Sequence, residues 1–189
     1  YIDDLSLDNT YGLVGDYMTN KNLNNKMILM KQYKKQKQGS ARYIAYHMAF
    51  DDEILVMLDG DDWFYGSNVF STLSNEYNEN QLLASYGSYY EYNNSYLDTN
   101  RLCGKRSFPN EIIEHKEYRS YDWISSHLRT GYAKLFKNIK IADLLDFNHN
   151  FLELATDFGE MIPVLEMADK KHKNIGVPLL VYNKDNSVL

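Results

Sequence analysis

A single cysteine, Cys103, stands in the 189 residues. One thiol cannot close an internal disulfide, so the sequence predicts a fold held by its own core in a reducing, cytoplasmic setting. Long hydrophobic runs are also missing. No apolar stretch reaches the roughly 18 to 20 residues that a membrane helix needs, and no signal peptide is visible. Positive charge is in deficit: the formal net charge is −6 and no basic stripe relieves it, which argues against nucleic acid as a partner. The one basic cluster, Lys31 to Lys37, reads as a solvated loop or helix face. Proline is scarce, with 3 residues, while Asn, Lys and Tyr are plentiful. That bias fits an AT-rich coding sequence and says little about chemistry.

The length suits one domain with a full core, and no repeat or linker divides it. The first half alternates. A strand end at Tyr1 to Asp3 precedes a helix over Asn9 to Met18, with Asp8 as its expected cap. A short strand at Met27 to Met30 precedes a helix over Ser40 to Phe50 with Ala41, Ile44, Ala45 and Met48 on its apolar face. Ile54 to Leu58 is an unbroken apolar run, expected as a central parallel strand buried on both faces. A helix from Gly66 or Ser67 to Tyr77 follows. This order predicts an α/β fold with a mostly parallel central sheet flanked by helices. The second half is less regular: strands within Leu82 to Tyr92, a loop region over Asn93 to Tyr118 and a strand over Ile124 to Arg129. Helices over Tyr132 to Ile139 and Thr156 to Ala168 precede a closing extended segment at Ile175 and Val177 to Tyr182.

The segment richest in chemistry is Leu58-Asp59-Gly60-Asp61-Asp62-Trp63. Three carboxylates crowd one turn directly after an apolar strand, and ligands of open α/β sheets bind beyond the carboxyl ends of strands. Crowded carboxylates repel one another, and a divalent cation relieves that repulsion while using their hard oxygens. A solvated turn is the alternative, since Asp-Gly-Asp is also ordinary turn chemistry. Phosphatases of the haloacid-dehalogenase type carry Asp-x-Asp after an apolar strand too, but want Thr or Val where this chain has Trp63.

Five segments, in order along nearly the whole chain, resemble family 2 glycosyltransferases. Ile2-Asp3-Asp4-Leu5-Ser6-Leu7-Asp8-Asn9-Thr10 is similar to the family's V-D-D-x-S-x-D-x-T, and Gln38-Gly39-Ser40-Ala41-Arg42 to its G-x-A helix start. Leu58 to Asp62 resembles L-D-x-D-D, Ala155-Thr156-Asp157 stands where the family has Glu-Asp, and Leu179 to Lys184 resembles its terminal strand with Y-R or Y-N. The resemblance implies a single GT-A domain over 1–189, with a nucleotide-sugar-binding half at 1–92 and an acceptor half at 93–189. The family's first strand and loop are expected ahead of Tyr1.

The resemblance also implies a function: inverting, metal-dependent transfer of a hexosyl group from a nucleotide sugar, in the first place a UDP-sugar, to a hydroxyl of a glycan, protein or lipid. Mg²⁺ or Mn²⁺ would bridge the diphosphate. Asp61 is the first choice for direct metal contact, with Asp59 near the ribose or a metal-bound water and Asp62 as a further ligand. Asp3 or Asp4 would meet the base or ribose, or cap the helix that follows. Gly39 would allow close approach, and Arg42 would reach the base or phosphates. Asp157 is the implied general base, with Thr156 in place of the usual Glu; Glu160 and Glu153 are the fallback carboxylates. His127 and Arg129, two apart on an expected strand, would share a face toward the sugar or acceptor, and His127 could complete the metal shell. The competing functions are a catalytically inactive nucleotide-sugar or glycan-binding module, and the phosphatase.

Overall fold

The structure, a computed structural model, describes residues 1–153 and 155–185. Leu154 and residues 186–189, part of the expected 93–189 half, lie outside the described residues. The chain forms two compact units: residues 1–49 with 140–156, and residues 50–139 with 157–189.

The first unit is a β-α-β-α arrangement. Strand β1 (Ile2–Asp3) pairs in parallel with β2 (Met30–Lys31), and helices α1 (Thr10–Asn20) and α2 (Lys37–Met48) follow the two strands. Asp8 sits ahead of α1, where its Oδ1 accepts the Thr10 N–H at 3.0 Å. The same unit holds a 3₁₀ turn at Ile141–Leu144 and a bridge between Leu145 and Phe151. Helix α2 does not bury the expected face. Gly39, Ser40, Arg42 and Tyr46 are buried, whereas Ala45 and Met48 are exposed. Periodicity alone favoured the aliphatic stripe, but the tightly packed stripe is the one containing Gly39. A Cβ there would lie 3.3 Å from Thr156 Cγ2 and 3.4 Å from Phe151 Cδ1.

The second unit contains β3 (Ile54–Met57), β4 (Trp63–Phe64), α3 (Val69–Asn80), β5 (Ala84–Asn93), β6 (Tyr96–Cys103), α4 (Asn110–His115), β7 (Arg129–Tyr132), α5 (Ala133–Lys137) and β8 (His172–Asn183). Its sheet runs β3-β7-β5-β8-β4, with β6 also paired to β5. Helix α6 (Thr156–Ala168) has the bounds read from the sequence. Val69 and Leu73 of α3 pack with Leu128 and with Ile175, Leu179 and Leu180 of β8 to form the core.

The α/β class holds, but the sheet is mixed rather than mostly parallel. The β5–β8 and β1–β2 pairs are parallel, while β3–β7, β4–β8, β5–β7 and β5–β6 are antiparallel. Ile54–Met57 is an edge strand of its sheet, half-buried over Ile54 to Val56, not a central strand buried on both faces. An unbroken apolar run reports that polar residues are excluded from both faces, not where the strand stands in the sheet. The expected loop over 93–118 contains β6 and α4. The β5–β6 hairpin closes through Asn94 and Ser95, both at positive φ (50° and 60°), the backbone that a two-residue hairpin turn requires. The strand expected at Ile124 to Arg129 begins only at Arg129.

Candidate active site

The acid turn hangs off the end of β3. The Asp62 N–H donates to the Asp59 carbonyl at 3.1 Å, which closes the turn and swings Asp62 inward. Asp62 is 8% exposed, whereas Asp61 is exposed. The Asn183 N–H, at the end of β8, donates to Asp62 Oδ1 at 2.9 Å. That bond follows from sheet order: β4 pairs with β8 through Trp63–Val181, so the residue before Trp63 meets the strand's last residues. The other oxygen, Asp62 Oδ2, is buried with no hydrogen-bond partner. Burial pushes the Asp62 carboxyl up to about 6; the Asn183 N–H and Arg129 oppose the shift, and repulsion from Asp59 and Asp61 adds to it.

Ligand atoms of Asp59, Asp62 and His127 all lie within 4.8 Å of one another. The His127 ring stacks on Tyr182 with centroids 5.1 Å apart and meets Tyr89 edge-on at 5.7 Å. Tyr182 carries a raised pKa, from burial first and then from Asp62, Asp61, Asp59 and Asp157. Two carboxylates and an imidazole could hold a divalent cation. The buried, unpartnered Asp62 Oδ2 fits that role, since a cation would supply the compensation that no protein donor gives. Asp61 is not among the three.

Arg129 opens β7 directly opposite Met57, the last residue of β3, which brings its guanidinium beside the acid turn. Its Nη1 donates to Asp157 Oδ2 at 2.6 Å, and its Nη2 lies 3.7 Å from Asp59 Oδ2. Asp157 stands in the first turn of α6 with its side chain about one-third exposed, at 32%, while the Arg129 side chain is 1% exposed. His127 and Arg129 thus converge on Asp59, although the segment before β7 is not the strand that would have placed them on one face. Glu160 is buried; Glu153 is exposed and paired with Lys37 at 2.7 Å.

The remaining sequence-derived residues belong to the first unit. Asp3 is buried, accepts the Ser6 N–H through both oxygens at 3.3 Å and has Lys31 Nζ at 3.6 Å. Asp4 accepts the N–H groups of Gln36 and Lys37 at 2.7 and 2.8 Å, which fixes the chain where it enters α2. Gly39 and Arg42 are buried in the first half of α2. Sequence reasoning gave Tyr182 and Asn183 no role, although both stand in the terminal segment it singled out. The alternation that would point Tyr182 toward His127 depends on a strand register that the sequence does not display.

The family model described as glycosyl transferase family 2 matches residues 1–145. No curated protein matches the chain. Among solved structures, S. aureus TarS 1-349 in complex with UDP-GlcNAc aligns over 99% of this chain and 49% of its own, at 13% identity and a TM-score of 0.61. A second S. aureus TarS structure aligns over 96% of this chain and 30% of its own, at 14% identity and a TM-score of 0.61. The chain spans about half or less of the length of these neighbours. At such identity the likeness shows the fold, GT-A, and the phosphatase reading falls away. No helix among the described residues is long and apolar enough to cross a membrane. The chain belongs to glycosyl transferase family 2.

Proposed function

We propose that this chain is the catalytic domain of an inverting glycosyltransferase that moves a hexosyl group from a UDP-sugar to an acceptor hydroxyl and depends on Mn²⁺ or Mg²⁺. The observation that carries the proposal is the convergence of Asp59, Asp62 and His127, with Asp62 Oδ2 buried and unpartnered. An acidic protein has no other ready means of holding a diphosphate against such a turn. Asp59, Asp62 and His127 would hold the cation. When bound, it supplies Lewis-acid stabilisation to the departing nucleoside diphosphate.

The chain's own residues do the rest. Asp157 accepts the proton of the acceptor hydroxyl as that oxygen forms its bond to the anomeric carbon. The bond from that carbon to the diphosphate breaks on the opposite face, and its electron pair leaves with the nucleotide. One base and no enzymic nucleophile suffice, so the configuration inverts. Asp3 and Asp4 serve the donor by fastening the segment ahead of α2. Residues 1–92 give the donor site Asp59 and Asp62, His127 joins them from the 93–189 half, and the acceptor is a glycan, protein or lipid.

Calorimetry of UDP with the purified protein tests the proposal. UDP binds in the presence of Mn²⁺ and loses most of its affinity in excess chelator. Equal affinity in both conditions rules the metal-dependent reading out.

A further inference from the structure

The fork of Arg129 faces two carboxylates that do different work. Nη1 is bonded to Asp157, the proposed base, and Nη2 lies 3.7 Å from Asp59 of the acid turn. The guanidinium is fully enclosed, and neither Nε nor Nη2 has a hydrogen-bond partner. A buried charge with unsatisfied donors is costly, and an apolar side chain would fill the same space more cheaply. A guanidinium in that position calls for a task that needs the charge and the planar fork. Contact with the sugar or acceptor, expected from the sequence, does not suit a guanidinium this enclosed and already bonded to a carboxylate.

We propose that Arg129 is a positioning residue that locks the Asp157 carboxylate in place and ties it to Asp59, so that base and cation site are held at one fixed spacing. This rests on the function proposed above. Arg129 acts through Asp157 and touches neither the acceptor nor the donor. Its backbone is anchored in the sheet by the pairing of β7 with β3, so the fork has a rigid base and Asp157, at the start of a helix, borrows that rigidity. The guanidinium also opposes the cation electrostatically. Removing it relieves Asp59 of a competing positive charge.

The test compares wild type, Arg129→Lys, Arg129→Met, Asp157→Asn and the double variant Arg129→Lys/Asp157→Asn. Steady-state transfer and Mn²⁺ titration are measured on each. Arg129→Lys keeps the charge and loses the fork, so kcat falls about 10- to 100-fold through misplacement of the base, with the donor KM nearly unchanged. The double variant is no slower than Asp157→Asn alone, because residues that act as a unit do not add. Arg129→Met binds Mn²⁺ as tightly as wild type or several-fold tighter, whereas a merely structural arginine would weaken it.

A loss confined to donor KM makes Arg129 a donor ligand and overturns the inference. So do losses that multiply in the double variant, a kcat near wild type in both Arg129 single variants, or weaker Mn²⁺ binding in a folded Arg129→Met. If Arg129→Met does not fold, Arg129→Lys and the double variant still decide. A wild-type protein that binds Mn²⁺ and UDP but transfers no sugar overturns the proposed function instead, an outcome separate from all of these.

Discussion

Two acidic segments of the chain, Asp3-Asp4 and Asp59 to Asp62, each stand at the end of a strand, yet they are spent differently. In the first, the carboxylates are engaged by the chain itself. Asp4 takes two backbone N–H groups, and Asp3 takes the Ser6 N–H and faces Lys31. In the second, Asp62 takes one backbone N–H from Asn183 and keeps a buried oxygen without a partner. A carboxylate whose lone pairs are filled by backbone donors fixes a loop. One buried with capacity to spare, beside a second carboxylate and an imidazole, leaves an acceptor for which the chain supplies no donor.

The contrast breaks most visibly at the proposed base. Asp157→Asn keeps the size and most capping ability of the side chain but cannot accept a proton at neutral pH. It is expected to lower kcat by about 10² to 10⁴-fold with donor affinity nearly unchanged. Steady-state transfer and UDP-sugar titration check this. A rate within a few-fold of wild type makes Asp157 a scaffold carboxylate like Asp4, and Glu160 or Glu153 becomes the base.

The next test sets the two segments against each other. Asp62→Asn should weaken Mn²⁺ binding at least about 100-fold, since even outer-shell changes at metal sites cost about 10 to 100-fold. Asp4→Ala should leave Mn²⁺ binding alone and lower unfolding stability by about 1 to 3 kcal/mol, because the Gln36 and Lys37 N–H groups lose their acceptors. Mn²⁺ titration and urea unfolding on both variants separate the outcomes. Loss of metal binding in Asp4→Ala would erase the distinction.

How much of this the sequence displayed varies with the range of the forces involved. The bounds of α6 and the existence of the acid turn were legible because both depend on neighbouring residues. The edge position of β3 was not, because strand order is set by pairings with residues such as Tyr132 and Arg129, far along the chain. The β5–β6 hairpin was missed because Asn94 and Ser95 read as generic loop, while their positive φ makes them a turn. Within the site, which carboxylate is buried was not legible. Asp61 was favoured for metal contact by position alone, whereas Asp62 is buried through a hydrogen bond to Asn183, 121 residues away.

A buried group with an unpartnered atom need not be a ligand site, and His172 is the control. It packs against Tyr86, Phe108 and Tyr118, with the Tyr118 hydroxyl 2.7 Å from Nε2 and Nδ1 unpartnered. Among the described residues, the one group of side chains that could hold a metal does not include it. Burial lowers its pKa to about 4. The folded state therefore resists protonation while the unfolded chain accepts it below about 6.5. The contribution to stability is complete above that value and is lost as pH falls toward about 4, at most about 3 kcal/mol in all. Asp62 runs the other way: its raised pKa means that folding stability is lost as pH rises from the ordinary carboxylate range through about 6. Bound Mn²⁺ should restore that loss. Urea unfolding between pH 4 and 8 should show a metal-dependent gain above about pH 6 that Asp62→Asn abolishes, and an acid loss that His172→Phe flattens. A metal effect equal at pH 4.5 and pH 7.5 would detach Asp62 from the cation.

The smallest effect is expected at Asp61, and it is the most pointed test of the comparison. Asp61 is exposed and its neighbours on both sides of the turn, Asp59 and Asp62, are the ones that come together with His127. An exposed carboxylate acts on a cation through water, where a unit charge at about 4 Å is worth only about 1 kcal/mol. Salt screens it further over about 8 Å at physiological ionic strength. Asp61→Ala should therefore weaken Mn²⁺ binding no more than about fivefold, with most of that change gone at high salt. Calorimetric Mn²⁺ titration at low and high salt measures both quantities. A loss as deep as that of Asp62→Asn, insensitive to salt, would mean that Asp61 ligates the cation directly. The turn would then have to reorganise on binding, and the burial of Asp62 would mark a resting arrangement rather than a prepared site.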